Sequence, residues 1–166
     1  MTNTFVAVLM GSDTDLSTME ITLNTLQALA VSVEARILSA HRTPQATVEY
    51  IKDAEQRGCA VFIAAAGMAA HLAGTIAAHT IKPVIGVPME GGLHGLDALL
   101  STVQMPGGVP VACVSIGNAG AKNAAILAAE ILAIHDPALT QKLVQQRKEK
   151  QTDLQKADKA LQLKNR

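Results

Sequence analysis

The sequence has no tryptophan, one tyrosine and two phenylalanines in 166 residues. Its core must be built from Ala, Val, Ile and Leu, and it offers no aromatic platform on which nucleic-acid bases would stack. Cysteine is scarce too. Cys59 and Cys113 stand alone, with no C-x-x-C spacing. Cys113 sits inside an apolar run and Cys59 borders another, so both read as reduced core residues; neither a disulfide nor a metal site is expected. No run of about 18 apolar residues lacks a polar break, so no membrane span is expected. The N-terminus lacks the basic-then-apolar pattern of a signal peptide, and the expected location is cytoplasmic. Cations are few in the body of the chain. Residues 1–136 carry six Lys/Arg against eleven Asp/Glu, a net of −5, whereas residues 137–166 carry eight against three, a net of +5. The body is therefore not a general polyanion binder. A cation placed there beside other polar groups stands out.

What the chain does have is alternation. TFVAVLM (4–10), AVFIAAA (60–66), PVIGV (83–87) and VPVACVSI (109–116) read as buried strands. VSVEARI (31–37) alternates apolar and polar residues, as a strand near a sheet edge does. Between them lie helical stretches at 15–30, 43–57, 69–80, 96–103 and 119–135, and Asp136-Pro137 opens a final polar helix. Strands alternating with helices imply an α/β fold with a parallel sheet and helices on both faces. With 31–37 at the edge, the order 2-1-3-4-5 follows, that of a flavodoxin-like three-layer αβα sandwich with a C-terminal helical extension. Residues 1–136 are expected to form the domain. Residues 137–166 are expected to form a tail that packs on a neighbouring subunit or is partly disordered. Residues 69–80 and 119–134 are apolar nearly all round and rich in Ala and Gly. That pattern predicts helix packing between subunits and hence a homo-oligomer.

In an open parallel sheet, ligands bind beyond the carboxyl ends of the strands. Three of these ends carry polar loops: Gly11 to Asp15, Ser39 to Pro44 and Gly67 to His71. Each runs into a helix N-terminus, where free N–H groups favour an anion. In the 2-1-3 order the three loops converge. Ser12, Thr14 and Ser39 offer hydroxyls, and Arg42 offers a planar two-pronged donor, which together suit a phosphate. Asp15 can accept from a ribose hydroxyl. Histidine ordinarily titrates near neutrality, so His41 is the candidate proton shuttle. The composite is a pocket for a small phosphorylated sugar or nucleotide. Each part also has a plainer account. Gly11 to Asp15 can be a turn and helix cap, His41 a capping histidine, Arg42 a partner of Asp13 or Asp15, and His71 a satisfied core residue. His79, His94 and His135 read as structural or solvent-facing.

GSDTD, SAHRTP, AAAGMAAHLAG, PVIGVPM, LLSTVQMPGGVPV and NAGAKNAAILAAEIL, in this order, resemble the 5-(carboxyamino)imidazole ribonucleotide mutase family of bacterial purine biosynthesis. The resemblance covers residues 4–146. It implies a flavodoxin-like homo-octamer that moves a carboxylate from the exocyclic nitrogen of a nucleotide to ring carbon 4, with no metal or organic cofactor. It implies that His41 is the general acid and base, and that Ser12, Asp15 and Arg42 contact the nucleotide with Ser39 beside them. It also implies that Gly67, Ala69 and His71 border the reacting ring and that the loop from Gln104 to Gly108 approaches it. Thr14 stands where the family usually has Ser and keeps the hydroxyl. Arg42 and Pro44 agree with the mutase branch. The branch that carboxylates aminoimidazole ribonucleotide directly with carbon dioxide is the nearest alternative, since it typically has SAHKT. A flavodoxin-like nucleotide-binding module without catalysis, or a divergent carboxylase acting on another nucleotide, are the remaining readings.

Overall fold

The computed structural model describes residues 4–164. Five parallel strands form one sheet: β1 (Phe5–Met10), β2 (Val33–Ile37), β3 (Cys59–Ala66), β4 (Val84–Pro88) and β5 (Ala112–Cys113). Their order is β2-β1-β3-β4-β5, as expected. The helices are α1 (Leu16–Ala28), α2 (Pro44–Gln56), α3 (Leu72–Ala77), α4 (Leu96–Val103), α5 (Gly117–Ala133) and α6 (Pro137–Lys164). All six residues of β1 are buried because both sheet faces are covered.

Alternate residues of the central strands feed two cores. Val6, Val8, Val61 and Ile63 pack with Met19 and Leu26 of α1 and the alanines of α5. Phe5, Ala7, Leu9 and Phe62 pack on the other face with Tyr50 and Ile51 of α2 and Leu72 and Ile76 of α3. The Thr22 hydroxyl donates to the Ala121 carbonyl at 2.7 Å and ties α1 to α5 inside the first core. In β4, a Cβ on Gly86 would stand 2.2 Å from Thr102 Cγ2, so only glycine lets α4 lie this close to the sheet.

Several elements differ from the expected spans. The helix expected at 69–80 is the six-residue α3, because Gly67 to His71 is used as a strand-end loop. The strand expected at 109–116 pairs only through Ala112 and Cys113. It is an edge strand that follows Pro110, which has no N–H to donate. In β2 the alternating apolar face is only partly covered, and Ile37 is 52% exposed. Packing between subunits was expected from the apolar helices at 69–80 and 119–134. In the fold α3 and the alanine face of α5 are consumed by the chain's own core. An apolar stripe is also left exposed along α4 and the turn before it: Leu93, Leu96, Leu100 and Val103.

The start of α6 packs on α5 through Leu139 and Leu143, and Lys142 Nζ donates to the Leu29 carbonyl at 3.0 Å. Beyond Arg147, α6 stands clear of the core as an exposed polar helix. No helix among the described residues is long and apolar enough to cross a membrane.

Candidate functional site

Parallel strands place all their carboxyl ends at one edge, so the loops after β1, β2, β3 and β4 meet there. They enclose a cavity of about 460 Å³. Ser12, Asp15, Ser39, His41, Arg42 and Gly67 all stand in its wall. Six of the eight predicted site residues are thus brought together, although they come from three separate stretches of chain. Ala69 and His71 lie on the same loop as Gly67 but outside the wall.

The loop after β1 is built by a capping box. The Ser12 N–H donates to Asp15 Oδ2 at 3.0 Å, and the Thr14 N–H donates to Ser12 Oγ at 3.3 Å. Asp15 is almost fully buried, and that burial raises its pKa above the ordinary 3.8. The Ser12 N–H and the Arg42 charge act in the opposite direction. The loop after β2 is tied by its own hydroxyls. The Ser39 N–H donates to Thr43 Oγ1 at 2.9 Å, and the Arg42 N–H donates to Ser39 Oγ at 3.1 Å. The Arg42 guanidinium donates to the Gly11 carbonyl and so joins the β1 and β2 loops. This is the loop-holding role considered for Arg42, but through a backbone carbonyl rather than an acidic side chain. It still leaves the guanidinium at the cavity wall. His41 is exposed beside it.

His71 has a different setting. Its Nδ1 lies 2.7 Å from the Ser101 carbonyl, which can only accept, so Nδ1 carries the proton. Ser101 lies in the last turn of α4, where carbonyls run out of helical donors, and His71 supplies one. In return Ser101 Oγ donates to the Ala70 carbonyl at 3.0 Å. These two bonds fasten the Gly67–His71 loop to α4. The loop from Gln104 to Gly108 precedes β5 and so lies at the opposite edge of the sheet. Gly108 lines a separate depression with Ala77 and Pro83. In its own chain this loop does not reach the cavity, because a loop leading into a parallel strand lies opposite the loops leaving one.

Four residues of the wall lie outside the three loops named from the sequence: Ala66, Leu72, Glu90 and Gly91; Met68 lies within the third loop but was given no role. Glu90 follows β4, so extending the strand-end rule to the fourth strand would have found it. Its carboxylate lies against α5's first residue; a Cβ on Gly117 would be 2.9 Å from Glu90 Oε1. A larger cavity of about 590 Å³ sits at the other edge of the sheet, between Leu29, Leu132, His135 and Leu139. One helix start, that of α6, and the hydroxyls of Thr4 and Ser32 line it, against the three hydroxyl-bearing or histidine-bearing loops that gather at the first. Among the described residues, no group of three or more His, Cys, Asp or Glu is placed to hold a metal ion.

The AIR carboxylase family model matches residues 5–153. An N5-carboxyaminoimidazole ribonucleotide mutase of Synechocystis is 53% identical over 148 residues, covering 89% of this chain and 83% of that protein. One of Bacillus subtilis is 52% identical over 155 residues, covering 92% and 96%. The crystal structure of Treponema denticola PurE superposes with a TM-score of 0.85 at 27% identity, covering 95% of this chain and 98% of that one.

Proposed function

The chain belongs to the AIR carboxylase family, and on that premise we propose that it converts 5-(carboxyamino)imidazole ribonucleotide to the 4-carboxy isomer in purine biosynthesis. The observation that carries the reading is the single cavity that gathers His41, Arg42, Ser12, Ser39 and Asp15 at the strand ends. The mutase names of relatives about half identical to this chain support it.

In this reading Ser12, Ser39 and Arg42 hold the phosphate, and Asp15 accepts from a ribose hydroxyl. The bond between the exocyclic nitrogen and the carboxylate breaks. Its electron pair stays on nitrogen, which takes a proton from His41, and carbon dioxide is left beside the ring. Ring carbon 4 then attacks that carbon dioxide with the ring's π electrons. His41, now a base, removes the proton from carbon 4 and is restored. No net proton or electron is consumed. One histidine serves both steps because they need it in opposite states. Gly67 borders the reacting ring, and Ala69 and His71, outside the wall, support it through the loop that His71 fastens to α4.

The enzyme works in the cytoplasm as a homo-oligomer, octameric as the sequence resemblance implies. The exposed α4 stripe of Leu93, Leu96, Leu100 and Val103 supports subunit contact. The tail expected at 137–166, of which residues 165–166 lie outside the described residues, extends beyond the catalytic domain, and the far part of α6 is available to a neighbour. Direct carboxylation of aminoimidazole ribonucleotide is the second reading, favoured by the family's description.

The test is to incubate purified protein with 5-(carboxyamino)imidazole ribonucleotide and a chelator, without ATP or bicarbonate, with His41→Asn in parallel. Conversion by the wild type is expected, and the variant should lose roughly 100- to 10,000-fold in rate while staying folded. Product only from aminoimidazole ribonucleotide plus carbon dioxide would establish the carboxylase instead. Equal rates for the variant would remove His41 from the chemistry.

A further inference from the structure

We infer that Met68 is the side chain that keeps carbon dioxide inside the site between its release from nitrogen and its capture at the ring carbon. The inference rests on the carboxylate migration proposed above.

Carbon dioxide is small and carries no net charge. A protein retains it by van der Waals contact and by the absence of an exit. Most of the apolar wall cannot provide closure. Ala40, Ala66, Ala70 and Gly91 are too short to reach across, and Leu72 is rooted in the core at 1% exposure. Met68 is the exception. It stands in the cavity wall, yet it is 69% exposed. Its unbranched thioether chain has three rotatable bonds and conforms to whatever it covers.

The backbone at this position is held in a disfavoured shape. Met68 has φ +53, in the left-handed region that a residue with a Cβ adopts at a cost. Glycine would sit there without strain. The neighbouring chain enforces the shape: the Ala70 N–H donates to the Gly67 carbonyl at 3.3 Å, and Ser101 Oγ holds the Ala70 carbonyl. Strain maintained by its surroundings, at the rim of a catalytic cavity, on the one long apolar side chain of its wall that is not rooted in the core, points to a task for that side chain.

The test uses substrate carrying carbon-13 in its N-carboxylate, in unlabelled bicarbonate buffer with carbonic anhydrase to exchange any escaped carbon dioxide. Mass spectrometry reads the label kept in the product, and chromatography reads free aminoimidazole ribonucleotide. The wild type should convert with the label kept. Met68→Gly relieves the backbone and should fold as stably, but its share of unlabelled product plus free aminoimidazole ribonucleotide should rise on the order of tenfold. Met68→Leu restores apolar bulk and should keep the label. Label retention in Met68→Gly equal to the wild type would overturn the inference while leaving the mutase reading intact. So would leakage from Met68→Leu equal to that from Met68→Gly, or complete exchange in the wild type. A leak that appears only when Met68→Gly changes its oligomeric state in gel filtration would also overturn it, since lost subunit contact would then be the cause. A wild type that makes no 4-carboxy product would fail the mutase reading itself.

Discussion

Replacing Gly74 by alanine sets two effects of known sign against each other. Within a helix, Gly→Ala stabilises by roughly 0.5–1 kcal/mol, because alanine loses less backbone freedom on folding. Gly74 lies in α3, so propensity alone predicts a gain. A Cβ there, however, would stand 1.9 Å from His71 Nε2 and 2.3 Å from Cε1. The imidazole rests on the bare glycine and has to leave. Leaving breaks the 2.7 Å bond to the Ser101 carbonyl. The bond itself is worth roughly 1 kcal/mol, and a half-buried carbonyl left without a donor costs roughly 1–3 kcal/mol before water recovers part of it. The packing loss exceeds the propensity gain. Gly74→Ala should therefore be destabilised by about 1–2 kcal/mol. The assay is urea denaturation at fixed protein concentration, since an oligomer's midpoint depends on it. A double-mutant cycle with His71→Ala completes the argument. With the ring gone, the same Gly74→Ala change should stabilise by roughly 0.5–1 kcal/mol, reversing its sign. A single variant at least as stable as the wild type, or a cycle that is simply additive, would refute the reasoning.

Asp15→Asn tests the buried carboxylate. Its folded pKa lies above the ordinary 3.8, so between those values the folded state binds more protons than the unfolded one. Its contribution to stability is greatest below 3.8 and is lost as pH rises through the folded value. Asparagine keeps an acceptor for the Ser12 N–H and does not titrate. The variant's stability relative to wild type should therefore increase from about pH 4 to about pH 7, read by urea midpoints, while its KM for the nucleotide rises. Leu100→Asp places a charge in the middle of the exposed α4 stripe, where Leu100 is 55% exposed. It should leave the fold intact by circular dichroism and shift gel filtration towards the 17.3 kDa single chain. Unchanged elution would mean that this stripe is not a subunit contact.

Much of the site was legible because its parts are local. Ser12 and Asp15 are three residues apart, and a capping box is closed by residues at that spacing. Ser39, His41 and Arg42 share one turn, and the parallel-strand rule says at which edge such a turn must lie. Glu90 escaped the sequence reading, and Met68 fell in a named loop without being given a role. Glu90 sits on a loop with no obvious donor set, and Met68 reads as an ordinary apolar residue until its φ is known. His71 was visible as a residue of the right type, but its partner is the Ser101 carbonyl, thirty positions away, and a backbone carbonyl leaves no mark in a sequence. The fate of the apolar helices was hidden too. A run of Ala and Gly says that a helix is enclosed, but not by what. Only the fold shows the alanine face of α5 enclosed by α1 and the sheet, and an open apolar stripe on α4.

The sequence by itself determined the strand–helix alternation, the sheet order and the three polar loops that meet at the cavity. These depend on periodicity, on edge polarity and on the geometry of parallel connections, all of which act over a few residues or by general rule. Tertiary structure alone decided that the loop after β4 joins the cavity wall, what holds His71 and which apolar faces are left uncovered. Those outcomes depend on distances between residues far apart in the chain, and such distances exist only after the layers have packed.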